Sequence, residues 1–197
     1  MDWAIRYAWR GQAWSACGIR IRVRLVKGDG KPYAEQVAKA LAIIERYDPL
    51  RLARMRRDID GILVSALVTP GATAQYHHDY GLCMLDGTTI LNRHPAFAAL
   101  SIVHEATHAR LAAITATGEN INRIERICTA QELAFAQRLP GTEPLQEWLR
   151  ERIARTHDAD FSLKGRVARG FAALEEEGVP KPVLAVLHGM ARHAGHE

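Results

Sequence analysis

Between Ile19 and Leu25 apolar and basic residues alternate without a break, Ile-Arg-Ile-Arg-Val-Arg-Leu. A period of two belongs to a strand, so this segment predicts one with an apolar face and an arginine face. Gly28-Asp29-Gly30 then marks a turn, and from Tyr33 to Tyr47 the apolar positions shift to helical spacing through Val37, Leu41 and Ile44. Pro49 opens a second short helix with a basic end at Arg54, Arg56 and Arg57. Gly61 to Val68 is an apolar run of strand length, stopped by Pro70 and Gly71. Thr69 to Tyr80 reads as a loop. Leu82 to Leu85 and Thr88 to Asn92 flank Asp86-Gly87, a dipeptide favoured in two-residue turns, so a hairpin is expected there.

Beyond Pro95 the spacing is helical throughout, with breaks at Gly118, Pro140-Gly141, His157 to Asp160 and Gly178 to Pro180. The expected fold is one α+β domain over residues 1–197. A small mixed or antiparallel sheet with helices occupies about residues 1–94, a central helix about 95–116, and a helical lobe about 117–197.

The helix from Pro95 carries the chemistry. Phe97, Leu100, Ile102, Val103, Leu111, Ala112, Ala113 and Ile114 leave it apolar on nearly every side, which predicts burial. Into that surface the chain sets His104-Glu105-Ala106-Thr107-His108. Burying a carboxylate and two imidazoles costs several kcal/mol unless they are paired or bound to metal. Residues four apart share a helix face, so His104 and His108 can meet one cation. Glu105, rotated by about 100° around the helix axis, flanks that cation without ligating it and stands where a general base toward water is needed.

A catalytic zinc site takes a further protein ligand and leaves a position open. The helix after Asn120 offers Glu125 and Glu132. Its apolar stripe runs through Ile121, Ile124, Cys128, Phe135 and Leu139; Glu132 falls inside the stripe and Glu125 at its margin. Counting residues back from the turn near Thr117 to Asn120 also places Glu132 level with His108. Glu132 is therefore the expected ligand, with Glu125 orienting a histidine or pairing with an arginine, and a tilt between the helices would exchange them.

His104-Glu105-Ala106-Thr107-His108 followed by Glu132 resembles the zincin metallopeptidases, in the gluzincin arrangement where a glutamate on a later helix completes the site. The resemblance spans about residues 82–139. It implies a Zn2+ cofactor held by His104, His108 and Glu132, Glu105 as the catalytic base, a peptide or protein substrate, and a sheet whose edge strand holds that substrate extended above the active helix. Leu111 and Ile114 stand where a metzincin would have glycine and histidine, which excludes that branch.

Composition narrows the rest. A length of 197 residues, 48% of them hydrophobic, fits one globular domain. With 26 Lys and Arg against 22 Asp and Glu, the formal net charge is only +4. The row Arg20, Arg22, Arg24 comes with no nucleic-acid-binding motif, so nucleic acid is not the expected partner. No run approaches the roughly 18 apolar residues of a membrane span. Met1 to Arg10 lacks the apolar core of a signal peptide, and Trp3, Trp9 and Trp14 are expected in core or lid packing rather than in a membrane anchor. Cys17, Cys83 and Cys128 form neither a disulfide framework nor a CxxC pair. The expectation is a cytoplasmic zinc hydrolase. The alternatives are a zinc-containing regulatory or binding module without catalysis, and a basic nucleic-acid-binding protein in which the histidine motif is a coincidence. Tyr76, His77, His78 and Tyr80 are expected as loop residues, one of which can serve an oxyanion. Cys128 is expected as a small core residue, and His188, His193 and His196 as a helix end.

Overall fold

A computed structural model of the chain describes residues 11–24, 29–65, 72–111, 118–155 and 168. Trp3, Trp9, the breaks expected at 157–160 and 178–180, and His188, His193 and His196 lie outside them.

The alternating segment forms a strand as its period predicts. Strand β2 (Ile19–Arg24) buries Ile19, Ile21 and Val23 and turns its arginines to the other face. Arg20 Nε donates to the Asp60 carbonyl and Arg22 to that of Gly11, so part of the basic row ties down neighbouring backbone. Strand β1 (Gln12–Ala16) runs antiparallel to β2 through a two-residue turn, with Ala16 opposite Ile19. Both turn residues have positive φ, 48° at Cys17 and 73° at Gly18. That is the twist a tight hairpin requires, and glycine adopts it without steric cost.

Helix α1 (Lys31–Tyr47) buries Ala34, Val37, Ala40, Leu41 and Ile44, the face its spacing predicts. Asp48 ends it and caps α2 (Pro49–Asp58), accepting from the Arg51 N–H. The same carboxylate meets Arg51 Nε at 2.9 Å and Arg138 at 2.8 Å, so this corner is tied to a residue of the helical half.

Strand β3 (Gly61–Ser65) is buried along its whole length. Strands β4 (Ala74–His77) and β5 (Leu82–Asp86) are joined by a short 3-10 turn at His78–Tyr80. The five-stranded order is β1-β2-β3-β5-β4, with β2, β3 and β5 parallel and both outer strands antiparallel. The molecule is thus a mixed α+β structure, as expected, but its edge strand β4 falls within the stretch read as loop. Only four residues long and half-buried, β4 has no apolar alternation to announce it.

The hairpin expected at Asp86-Gly87 is absent. Asp86 instead caps helix α3 (Gly87–Asn92), accepting from the Thr89 N–H at 2.8 Å and the Thr89 hydroxyl at 2.7 Å. A carboxylate followed by two threonines satisfies the free amides of a helix start, and that local set outcompetes a turn. Burial raises the Asp86 carboxyl, but its bonds from Thr88 and Thr89 outweigh this and hold it below its ordinary value. Asp86→Ala should therefore cost about 0.5–2 kcal/mol in denaturant unfolding at neutral pH. Because the folded pKa is depressed, the difference from wild type should shrink as pH falls through the carboxylate range; a difference independent of pH would rule out the ionised cap.

Helix α4 (Pro95–Leu111) runs through the middle of the molecule, buried continuously from Ala98 to Thr107. It packs on α1, on β4 and on α5 (Gly118–Ala136), with α6 (Glu143–Arg155) behind α5. Ile21, Leu41, Val64, Leu85, Leu100, Phe135 and Leu149 join sheet and helices in one hydrophobic cluster. Each such side chain contributes about 1.5–3 kcal/mol by leaving water. Leu63, Leu82 and Met84 point to the opposite face and gather with Tyr80. Central strands are covered on both faces, hence the unbroken apolar run of β3.

Candidate metal centre

His104 and His108 lie one turn apart on α4, 5.0 Å between ring centroids, with their Nε2 atoms 3.3 Å apart. The rings converge because helical i and i+4 side chains share a face, and because α5 closes over that face. Glu125 of α5 reaches both rings: one oxygen stands 3.4 Å from His104 Nε2 and the other 3.4 Å from His108 Nε2. His104 also meets Glu132, so α4 and α5 run in opposite directions, with His108 level with Glu125 and His104 nearer Glu132.

Glu132, the ligand expected from the apolar stripe, sits behind the His104 ring instead. Its carboxylate is 3.1 Å from Nδ1 and accepts a second bond, at 3.2 Å, from Arg152 of α6, whose guanidinium also lies over the Trp148 ring. A carboxylate at Nδ1 holds a proton there, so Nε2 is the ring nitrogen left to face His108 and Glu125. The two glutamates thus stand in places opposite to those the helical stripe suggests. Depth along the stripe measures burial, and the more buried carboxylate is the one enclosed between an imidazole and a guanidinium.

Without metal the cluster is held by protons. Burial opposes charge on His104, but hydrogen bonds to Glu125 and Glu132 and the field of Glu105 outweigh it and raise its pKa to about 10. Glu125, despite its own burial, is held well below the usual carboxylate range by the two imidazoles.

Glu105 is only 6% exposed, and burial raises its carboxyl above the ordinary value, against the pull of His104 and His108. The backbone of Tyr76 on edge strand β4, which packs against α4, also favours its charged form. Tyr76 and His78 belong to this side of the sheet, their rings edge to face at 4.8 Å, and His78 feels the charge of His108. His77 and Tyr80 pair on the other side, 5.0 Å apart. An open pocket of about 530 Å³ lies along the strand, lined by Tyr76 and His78 together with Asp58, Asp60 and Tyr80; neither motif histidine borders it.

Cys128, fully buried on α5, brings its sulfur within 4.8 Å of a nitrogen of each histidine. Burial and the carboxylates of Glu125, Glu105 and Glu132 push its thiol far up. All three cysteines are free, and among the described residues no helix is long and apolar enough to cross a membrane.

No protein-family model, no curated protein and no solved structure matches the chain.

Proposed function

We propose that this chain is a zinc-dependent hydrolase of zincin type that cleaves peptide bonds, with the metal held by His104, His108 and Glu125. One observation carries the reading. The separations between the two Nε2 atoms and from each to a Glu125 oxygen are 3.3, 3.4 and 3.4 Å. A tetrahedron with metal–ligand bonds of about 2.0–2.1 Å has edges of about 3.3–3.4 Å; the two imidazole nitrogens span one such edge, and a turn of the Glu125 carboxylate, whose two oxygens each face one nitrogen, brings a single oxygen toward both. Two imidazoles and a carboxylate are also the donor chemistry that zinc takes.

When bound, zinc supplies Lewis acidity toward a water and a substrate carbonyl. The protein supplies the rest. Glu132 and Arg152 hold His104 by its Nδ1 proton, so the ring cannot turn from the site. Glu105, one position along the helix, takes a proton from the attacking water and returns it to the departing amine. Strand β4, an edge next to the active helix, offers backbone groups to an extended peptide, and His78 stands near His108 to meet developing negative charge.

The test is zinc titration of metal-free protein. One zinc ion should bind per chain, and His104→Ala or His108→Ala should abolish it. Since the imidazolium of His104 persists to about pH 10 in the metal-free chain, zinc must displace its proton. Affinity should thus rise about tenfold per pH unit for each proton released, over the range from about pH 6 to about pH 8. Calorimetry in buffers of different ionisation enthalpy counts the protons. Absence of stoichiometric binding in the wild type removes the reading.

A further inference from the structure

Glu125, Cys128 and Glu132 stand at i, i+3 and i+7 on α5, so one stripe of a single helix carries all three to the histidines. The first opposes both Nε2 atoms and the third locks His104 from behind. The thiol between them is fully buried and has its sulfur within 4.8 Å of a nitrogen of each ring. A sulfur in the remaining corner of a zinc tetrahedron would stand about 3.6 Å from each imidazole nitrogen. The distance left to travel is on the order of an ångström, the scale of a side-chain rotation.

Resting on the metal site proposed above, we infer that Cys128 is a displaceable fourth ligand, which closes the centre when no substrate is present and selects a thiophilic ion. On closure the S–H bond breaks, its proton leaves to solvent, and a sulfur lone pair forms the bond to the metal. No oxidant or reductant takes part. Opening reverses this: the sulfur–metal bond breaks, a proton returns to the thiolate, and the freed position becomes available to water and substrate.

Cobalt(II) reports the ligand directly, because thiolate bound to cobalt absorbs in the near ultraviolet while the metal's own bands lie in the visible. The wild-type protein loaded with cobalt should show both, and Cys128→Ser should lose the ultraviolet band and keep the visible ones. Acetohydroxamate, a small chelating probe that occupies open metal positions, should extinguish the ultraviolet band of the wild type. Visible bands without an ultraviolet band in the wild type would overturn ligation by Cys128 while leaving the metal centre intact. An ultraviolet band untouched by saturating acetohydroxamate would overturn displacement. Failure of the wild type to bind cobalt at all would instead sink the metal site itself. The decisive readings come from the unmutated chain, so they do not depend on the folding of the serine variant.

Discussion

On the proposed function, Glu105→Gln should bind zinc as tightly as the wild type and lose peptide hydrolysis by about 10²–10⁴-fold, the usual contribution of a positioned general base. The substitution is chosen for what it preserves. Glutamine has the same length and nearly the same shape, so it fills the buried position of the native carboxyl. It cannot take a proton from water. Glu105 also makes no short contact to either imidazole, in contrast to Glu125 and Glu132, so metal retention is expected. The comparison is run as zinc content and as cleavage of a peptide mixture, wild type against variant, at equal metal loading. Equal cleavage by both proteins would take Glu105 out of the mechanism. Cleavage by neither, with zinc bound to both, would favour a metal-containing binding module.

The second large effect separates the two glutamates of α5. Glu125→Ala removes a donor that faces both Nε2 atoms, and zinc affinity should fall by more than about 100-fold. Glu132→Gln leaves all three proposed donors and removes only the charge behind His104; its effect should be about 10–100-fold. Part of that smaller loss comes from the bond of Arg152 to the Glu132 carboxylate, which an amide oxygen accepts more weakly. Competition with a fluorescent zinc chelator ranks the variants. If Glu132→Gln were the more damaging, the ligand would be Glu132 and the apolar stripe would have been the better guide.

The comparison between these residues shows where a linear reading stops. The stripe through Ile124, Cys128 and Phe135 correctly places Glu132 in the interior, where its side chain is 6% exposed. Burial and ligation, however, are different properties. The side chain that meets both Nε2 atoms is the less buried Glu125, which is 17% exposed. The residue count between the helices pointed the same way as the stripe and fails for a related reason: α5 begins at Gly118 and brings Glu125 level with His108 within its first two turns.

Turns tell a similar story. Asp86-Gly87 and Cys17-Gly18 are both residue–glycine pairs, and the aspartate version is the stronger hairpin signal. The hairpin forms at Cys17-Gly18, where the flanking strands pair in register from Gln12 to Val23. At Asp86 the hydroxyl and amide of Thr89 recruit the same carboxylate into a helix cap. The competing structures use the same aspartate, and the choice depends on the following threonines and on where β5 must end.

Local periodicity was enough to determine that β2 is half-apolar, that α1 buries Val37, Leu41 and Ile44, and that α4 is a buried helix carrying two imidazoles and a carboxylate one turn deep. These follow from interactions within a few residues, where backbone geometry alone sets which side chains share a face. The strand order, the edge position of β4 beside Glu105, the exchange of places between Glu125 and Glu132, and the approach of Cys128 were decided only by tertiary packing. They depend on how far one helix slides and rotates against another. That offset is set by the summed fit of many side chains distant in the chain, so no single segment encodes it.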